Sequence, residues 1–254
     1  MESIQTISII GSGNVAFHLC NALKESDCKV VEILSRNYET SQSIAKEFNL
    51  AIIQNPRALS GDLVLICTKD DSILDLTKLI SEDQKVAYTS GSLDLETLGR
   101  KENTGVFYPL QSFSRERKID YFNIPFLIEA TDEIFAQELF DIAWKISHNV
   151  SFANSETRRK YHYSAVWINN FTNHFVYQAE KFLQENNLKA EYLKPLLKET
   201  VEKLNSMSAY NAQTGPARRH DMKTIEAHLK LTNEDTRELY EIITKSIIKT
   251  YPNK

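Results

Sequence analysis

Cysteine is scarce in this chain, and its cysteines are too scattered to form a disulfide framework. Cys20, Cys28 and Cys67 contain no Cys-x-x-Cys pair, and an odd, sparse set is typical of a reducing compartment. Cys67 ends an apolar segment, so we predict that it belongs to the core. No apolar run reaches the roughly 18 residues that a membrane helix needs, and no secretory signal pattern precedes the first strand. We therefore expect a cytoplasmic protein.

Neither sign of charge is in excess. Lys and Arg total 30, Asp and Glu total 34, and the net charge is −4, which argues against nucleic acid or an anionic membrane as a partner. The six histidines are scattered and show no His-x-x-x-His spacing, so we predict no metal site. The expected partner is a small-molecule substrate.

Strand and helix patterns alternate in the first part of the chain, whereas the last part shows helix patterns alone. After a first apolar run at 7–10, strands are predicted at 29–34, 51–53, 62–67, 85–88, 105–108 and 126–128. This alternation predicts a mostly parallel, doubly wound α/β sheet. Helices are predicted at 156–185, 191–208, 221–230 and 233–251. We predict two domains, 1–153 with the sheet and 154–254 all-helical.

The most informative motif follows the first strand. Gly11-Ser12-Gly13-Asn14-Val15-Ala16 stands between an apolar strand and a helix, as in the Rossmann-type site for a dinucleotide. Gly11 permits a tight turn, and Gly13 lets a pyrophosphate approach the backbone. The free amides at the start of the helix attract the phosphates. The alternative is a plain glycine turn in another α/β unit.

The end of the second strand favours NADP over NAD. Sites for NAD usually carry an acidic residue there, which bonds the ribose 2′-hydroxyl and repels a 2′-phosphate. This chain has Ser35-Arg36-Asn37 instead, and Arg36 is suited to pair with a phosphate. Glu32 lies on the same strand but short of its end. The alternative is a solvated turn with one chance arginine.

Further candidates follow later strands, because ligands of such sheets lie beyond the carboxyl ends. The backbone of Thr68 and Lys69 is expected beside the cofactor, and Asp71 or Ser72 is expected to cap the next helix. Ser90, in the turn Thr89-Ser90-Gly91-Ser92, is expected to contact the nicotinamide, with a plain turn as the alternative. Tyr108-Pro109-Leu110-Gln111 is expected to wall the substrate pocket.

The long predicted helix contributes the catalytic candidates. His162, Asn169 and Asn173 recur at helical spacing on one stripe. A histidine there is suited to give a proton to the atom that gains a hydride, and Asn169 to orient that atom. Core hydrogen bonds or a dimer seam are the alternative. Arg219 is suited to hold a substrate carboxylate or phosphate or to pair with an acid, while Asp221 is expected to cap a helix.

Taken together, these motifs resemble the N-terminal domain of pyrroline-5-carboxylate reductases and deazaflavin-dependent NADP oxidoreductases. Thr89-Ser90-Gly91-Ser92, the segment 108–113, Tyr161-His162-Tyr163-Ser164-Ala165 and the segment 214–221 narrow the match. They resemble a family of Rossmann-like NADP oxidoreductases whose helical C-terminal domain has no settled function. The wider superfamily implies hydride transfer to a carbonyl, imine or deazaflavin-type partner. It also implies homodimers built through the helical domain.

This chain departs from the resemblance at two places. Tyr108 stands where the family commonly has histidine, so that histidine's role does not carry over. Superfamily dehydrogenases often have Lys-x-x-x-Asn on the long helix, and this chain does not, since Ala165 precedes Asn169 by four positions. Two interpretations therefore stay open: an NADP-dependent oxidoreductase, or a non-catalytic NADP(H)-binding redox sensor or assembly protein.

Overall fold

A twisted sheet forms the centre of the structure, a computed structural model that describes residues 4–24 and 26–252. Within these residues the sheet has eight strands in the order β3-β2-β1-β4-β5-β6-β7-β8. Neighbouring strands are parallel, apart from β6 and β7, which are antiparallel. The strands are β1 (Thr6–Ile10), β2 (Lys29–Leu34), β3 (Ala51–Ile53), β4 (Leu63–Ile66), β5 (Lys85–Tyr88), β6 (Thr104–Pro109), β7 (Phe126–Ala130) and β8 (Val150–Phe152).

Helices follow most of the strands and predominate after β8. None of those in the described ranges is long and apolar enough to cross a membrane. They are α1 (Asn14–Leu23), α2 (Tyr38–Phe48), α3 (Asp70–Leu79), α4 (Glu133–Trp144), α5 (Ser155–Ala165), α6 (Thr172–Glu185), α7 (Lys194–Ser206), α8 (Ala209–Ala212), α9 (Met222–Leu229) and α10 (Glu234–Thr250).

Both faces of the sheet are covered, because successive strand side chains point to opposite sides. In β4, Leu63 and Leu65 pack in one apolar cluster, whereas Val64 and Ile66 pack in another. The first cluster includes buried side chains of α1, α2 and α4, and the second includes Ile73 of α3. The predicted doubly wound sheet followed by helices is therefore confirmed.

The structure also corrects the predicted long helix at 156–185. The π-helical segment Val166–Phe171 separates α5 from α6. A π turn closes i→i+5 hydrogen bonds and holds more residues than an α turn, so His162, Asn169 and Asn173 do not keep the α-helical spacing that placed them on one stripe. The chain forms two compact units, Met1–Asn170 and Phe171–Lys254. The functional division at 153/154 stays a prediction.

Candidate nucleotide and active site

A cleft of about 800 Å³ lies at the carboxyl ends of β1, β2 and β4. Gln111 and Phe113, from the segment after β6, complete its lining together with residues of α3. Ser90 is not among the lining residues. The structure brings ten of the residues predicted to bind the cofactor into this lining: Gly11, Ser12, Gly13, Asn14, Val15, Ser35, Arg36, Asn37, Thr68 and Lys69.

The two glycines of the motif have different physical roles. Gly11 has φ +124°, and a Cβ there would overlap the carbonyl oxygen of Cys67, so only glycine fits the turn. Gly13 has φ −82° and ψ −173°, a conformation open to any residue, and a Cβ there would have no protein atom within 4 Å. Gly11 is therefore required by the fold, whereas Gly13 keeps space open in the cleft.

The first turn of α1 is suited to bind an anion. Gly13 is its N-cap residue, so no side chain caps the helix, and the first turn contains no acidic residue. By contrast, a side chain caps each of α2, α4, α5, α9 and α10. The amides at the start of α1 therefore keep their hydrogen-bonding capacity and the positive end of the helix dipole. This arrangement fits the pyrophosphate of a dinucleotide.

A cluster of hydroxyl groups lies where β2 ends. The Ser12 hydroxyl is 2.8 Å from that of Ser35 and 2.5 Å from that of Thr40. Asn37 is the N-cap of α2 and accepts a hydrogen bond from the Thr40 amide at 3.1 Å. Arg36 is exposed, and within the described residues it makes no ion pair. These hydrogen bonds thus stabilise the turn after β2, while the guanidinium of Arg36 stays available to an anion.

The carboxylate on β2 is occupied elsewhere. Glu32 is buried, and its Oε1 accepts hydrogen bonds from the Ser8 hydroxyl at 2.5 Å and the Ser60 amide at 2.6 Å. Glu32 also pairs in register with Ser8 in the interior of the sheet. It therefore does not reach the end of β2, where a ribose-binding acid would stand.

The side chains in the turns after β4 and β5 make some hydrogen bonds that differ from those the sequence predicted. Lys69, and not Asp71 or Ser72, is the N-cap of α3, and the Ser72 hydroxyl donates to the Lys69 carbonyl at 2.9 Å. The prediction that Asp71 or Ser72 caps α3 is therefore wrong. The Ser90 hydroxyl accepts bonds from the amides of Ser92 and Leu93, so it stabilises its own turn.

His162 lies beside Tyr108, the penultimate residue of β6. The Tyr108 hydroxyl is 3.0 Å from His162 Nδ1, and the rings meet edge to face. Burial raises the pKa of Tyr108 to about 12. Tyr108 was expected to wall a pocket, but its contact with His162 was not predicted. The two residues belong to β6 and α5, and no local sequence pattern indicates that these two elements meet.

The other two catalytic candidates are placed differently. Asn169 is exposed within the π-helical segment. Arg219 is exposed in a 3₁₀ turn, Ala217–Arg219, of the second unit, and within the described residues it has no ion pair. Asp221 caps α9, as predicted, by accepting bonds from the Thr224 amide and hydroxyl.

Gln111 was expected to wall a pocket, but sequence reasoning missed the contacts that the rest of the segment after β6 makes with α1. The Asn14 side chain donates to the Phe113 carbonyl at 2.8 Å, and the buried His18 of α1 stacks on Phe113. His18 Nδ1 is 2.7 Å from the Tyr121 hydroxyl, and Nε2 is 3.0 Å from the Ser114 carbonyl. The segment has no periodic pattern, so only these long-range contacts reveal it.

Cys67 also lines the cleft, but it is not a reactive thiol. Its side chain is buried, and burial raises the thiol pKa far above its usual range. The thiolate, which is the nucleophilic form, is therefore suppressed. The prediction that Cys67 belongs to the core is confirmed.

Two family models match the sequence. Residues 6–88 match NADP oxidoreductase coenzyme F420-dependent, and residues 124–247 match Domain of unknown function (DUF2520). Both agree with the resemblance drawn from the motifs. No curated protein matches the chain.

Solved structures share the fold over nearly the whole chain. BF3122, a candidate NADP oxidoreductase from Bacteroides fragilis, is 32% identical with a TM-score of 0.89, over 97% of this chain and 98% of that chain. Protein TM1727 from Thermotoga maritima is 22% identical with a TM-score of 0.80, over 96% and 99%. An imine reductase from Myxococcus stipitatus, in complex with NADP⁺, is 14% identical with a TM-score of 0.69, over 96% and 93%.

Proposed function

Because the chain belongs to the NADP oxidoreductase family in which a nucleotide-binding domain precedes a DUF2520 domain, we propose that it is an NADP-dependent reductase. It moves a hydride between the nicotinamide and a small carbonyl, imine or deazaflavin-type partner. The observation that carries this proposal is the cleft, in which an uncapped helix N-terminus, an open glycine and a free arginine meet.

The cofactor of the family is NADP, and the cleft fits its parts. The backbone from Gly11 to Val15 takes the pyrophosphate, and Ser35, Arg36 and Asn37 take the adenosine 2′-phosphate. Thr68 and Lys69 stand beside the ribose, and the turn containing Ser90 stands toward the nicotinamide. When bound, NADPH supplies the hydride, while the chain positions the partner and excludes water.

The 2′-phosphate preference depends on Arg36. For Arg36→Glu we expect NADPH affinity to fall roughly 10- to 100-fold, since a charge-assisted hydrogen bond contributes about 1.5–3 kcal/mol and the new carboxylate repels the phosphate. NADH affinity should stay equal or rise. Isothermal titration with both nucleotides measures the two effects.

Lys101→Glu is the matched control, because it makes the same charge change at an exposed site that precedes the amino end of β6, whereas the cleft lies at the carboxyl ends of β1, β2 and β4. It should leave both affinities unchanged. Equal losses of NADPH and NADH affinity in Arg36→Glu would contradict the 2′-phosphate assignment.

His162 is the catalytic residue of this proposal. Within the described residues, its Nε2 has no hydrogen-bond partner, while Nδ1 is held by Tyr108. A histidine so held is suited to present an N–H to the atom that gains charge when a hydride arrives. Asn169 is proposed to orient the same atom, and Arg219 to hold a substrate carboxylate or phosphate.

Stopped-flow absorbance tests the reductase directly. Bound NADPH should be oxidised at catalytic rates by at least one member of a panel of ketones, imines and deazaflavins. Tight NADPH binding without oxidation by any member would favour the non-catalytic sensor or assembly protein instead.

The three buried, free cysteines fit the reducing cytoplasm in which such a reductase would work.

We also propose a homodimer formed through the helical unit. Neither α6 nor α7 has a buried residue, yet α7 carries the exposed apolar side chains Leu196, Leu197, Val201 and Leu204. These residues lie on one face at helical spacing. An exposed apolar face of this kind marks an interaction surface, and a second copy supplies an equivalent apolar helix.

The dimer is tested by the double variant Leu197→Glu/Leu204→Glu. We expect it to sediment as a monomer at micromolar concentration, where the unmodified protein sediments as a dimer, because two charges would be buried in an apolar interface. Lys198→Glu, exposed on α7 but outside this apolar face, makes the same total charge change and should remain dimeric. A dimeric double variant would contradict the assignment of α7.

A further inference from the structure

Tyr108 and His162 form a polar pair inside the first unit. The Tyr108 side chain is 9% exposed, and its hydroxyl is 3.0 Å from His162 Nδ1. Within the described residues this is the hydroxyl's hydrogen-bond partner, and His162 Nε2 has none. The Tyr108 side of the pair is therefore buried, whereas Nε2 of His162 is available to a ligand.

Gly91, in the turn after β5, leaves the space for this pair. A Cβ at Gly91 would lie 2.6 Å from His162 Nδ1 and 2.7 Å from Tyr108 Cζ. Gly91 is not among the glycines with positive φ, so its backbone does not itself require glycine. The missing side chain is needed for the contact between the two rings.

Burial favours one direction for this hydrogen bond. The phenol of Tyr108 is protonated near neutral pH, and burial raises its pKa further, to about 12. A buried hydroxyl proton without an acceptor costs about 1–3 kcal/mol, and among the described residues His162 Nδ1 is the acceptor present. This cost favours Tyr108 as the donor and Nδ1 as the acceptor, and in a neutral imidazole the proton then resides on Nε2.

We propose that Tyr108 is a positioning residue that fixes His162 as its Nε2–H tautomer, so that the site takes a carbonyl compound. This inference rests on the proposed reductase. An N–H donor bonds to a carbonyl oxygen, which has lone pairs, and this bond strengthens as the arriving hydride gives the oxygen negative charge. A proton from solvent then completes the alcohol. A protonated iminium has no lone pair to offer, so its N–H would oppose the histidine N–H.

The tautomer is measured without cofactor or substrate. In protein labelled with ¹⁵N-histidine, two-bond ¹H–¹⁵N spectra at pH 7.5 should show His162 as the Nε2–H form, with the resonance assigned through His162→Gln. Tyr108→Phe and Gly91→Ala should each convert it to a mixture of tautomers. Tyr240→Phe, which removes the equivalent bond to His228 Nδ1, should leave His162 unchanged. An Nδ1–H form in the unmodified protein, or no change in Tyr108→Phe, would overturn the proposal.

Kinetic measurements then distinguish the role of Tyr108 from the proposed reductase activity. Tyr108→Phe should lower kcat about three- to tenfold, as expected for one lost hydrogen bond, without changing the KM for NADPH. The unmodified protein should reduce ketones faster than preformed iminium salts, and the reverse order would overturn the substrate class. Oxidation of NADPH by neither class would count against the reductase, while the spectra would still decide the role of Tyr108.

Discussion

Replacing Gly13 with aspartate is expected to abolish NADPH binding and leave the protein folded. A Cβ at this position meets no protein atom within 4 Å, and Gly13 lines the cleft, so the aspartate would extend into the space where the pyrophosphate is proposed to bind. The carboxylate would both occupy that space and repel the phosphates. Since each charge-assisted hydrogen bond contributes about 1.5–3 kcal/mol, losing two or more weakens binding by at least about 100-fold.

The thermal stability of the Gly13→Asp variant should not fall with its NADPH affinity. Gly13 is the N-cap of α1 and has extended backbone angles, and aspartate is among the preferred N-cap residues. Gly13→Asp should therefore melt at the same or a higher temperature than the unmodified protein. Calorimetric titration with NADPH and thermal unfolding followed by circular dichroism measure the two quantities.

Two further variants isolate the cause. Gly13→Asn has the same shape without the charge and should retain more affinity than Gly13→Asp. Gly11→Ala should instead lower the melting temperature, because its φ of +124° strains an alanine and its Cβ overlaps the Cys67 carbonyl. A folded Gly13→Asp protein that binds NADPH normally would refute the pyrophosphate site.

His162→Leu is expected to lower kcat roughly 10²- to 10³-fold, the usual cost of removing one donor to a developing oxyanion. NADPH affinity should stay unchanged, because His162 is not among the residues that line the cleft. Single-turnover oxidation of bound NADPH measures the chemical step apart from product release.

The control for this variant is His174→Leu. His174 is exposed on α6, where its Nε2 is 3.1 Å from Gln178 Nε2, so its loss should leave the single-turnover rate intact. If His162→Leu oxidised NADPH as fast as the unmodified protein, His162 would not be a catalytic residue.

Local sequence signals predicted most of the sheet, because its strands are short apolar runs between glycine, serine and charged turns. β2, β3 and β5 have the predicted bounds. β8 (Val150–Phe152) was missed, since it is a short strand at the sheet edge with side chains exposed or half-buried. The antiparallel direction of β7 was also not predicted, because apolar patterns do not record strand direction.

Site residues could be predicted where they lie together in one turn of the sequence. They could not be predicted where segments that are distant in the sequence come into contact. Gly11 to Val15 and Ser35 to Asn37 belong to turns with recognisable chemistry. The pairing of Tyr108 with His162 joins residues 54 positions apart and depends on the space at Gly91, which no local pattern records. The π-helical segment likewise leaves no periodic signature in the sequence.

The buried carboxylate of Glu32 limits how this protein can be redesigned to use NADH. Its oxygens link β1 to the turn that precedes β4, through Ser8, Ser60 and Gly61. Shifting the side chain toward a ribose would leave buried donors without acceptors. An engineered ribose-binding acid must therefore be introduced at position 35 or 36, beyond the strand, while Glu32 is left in place.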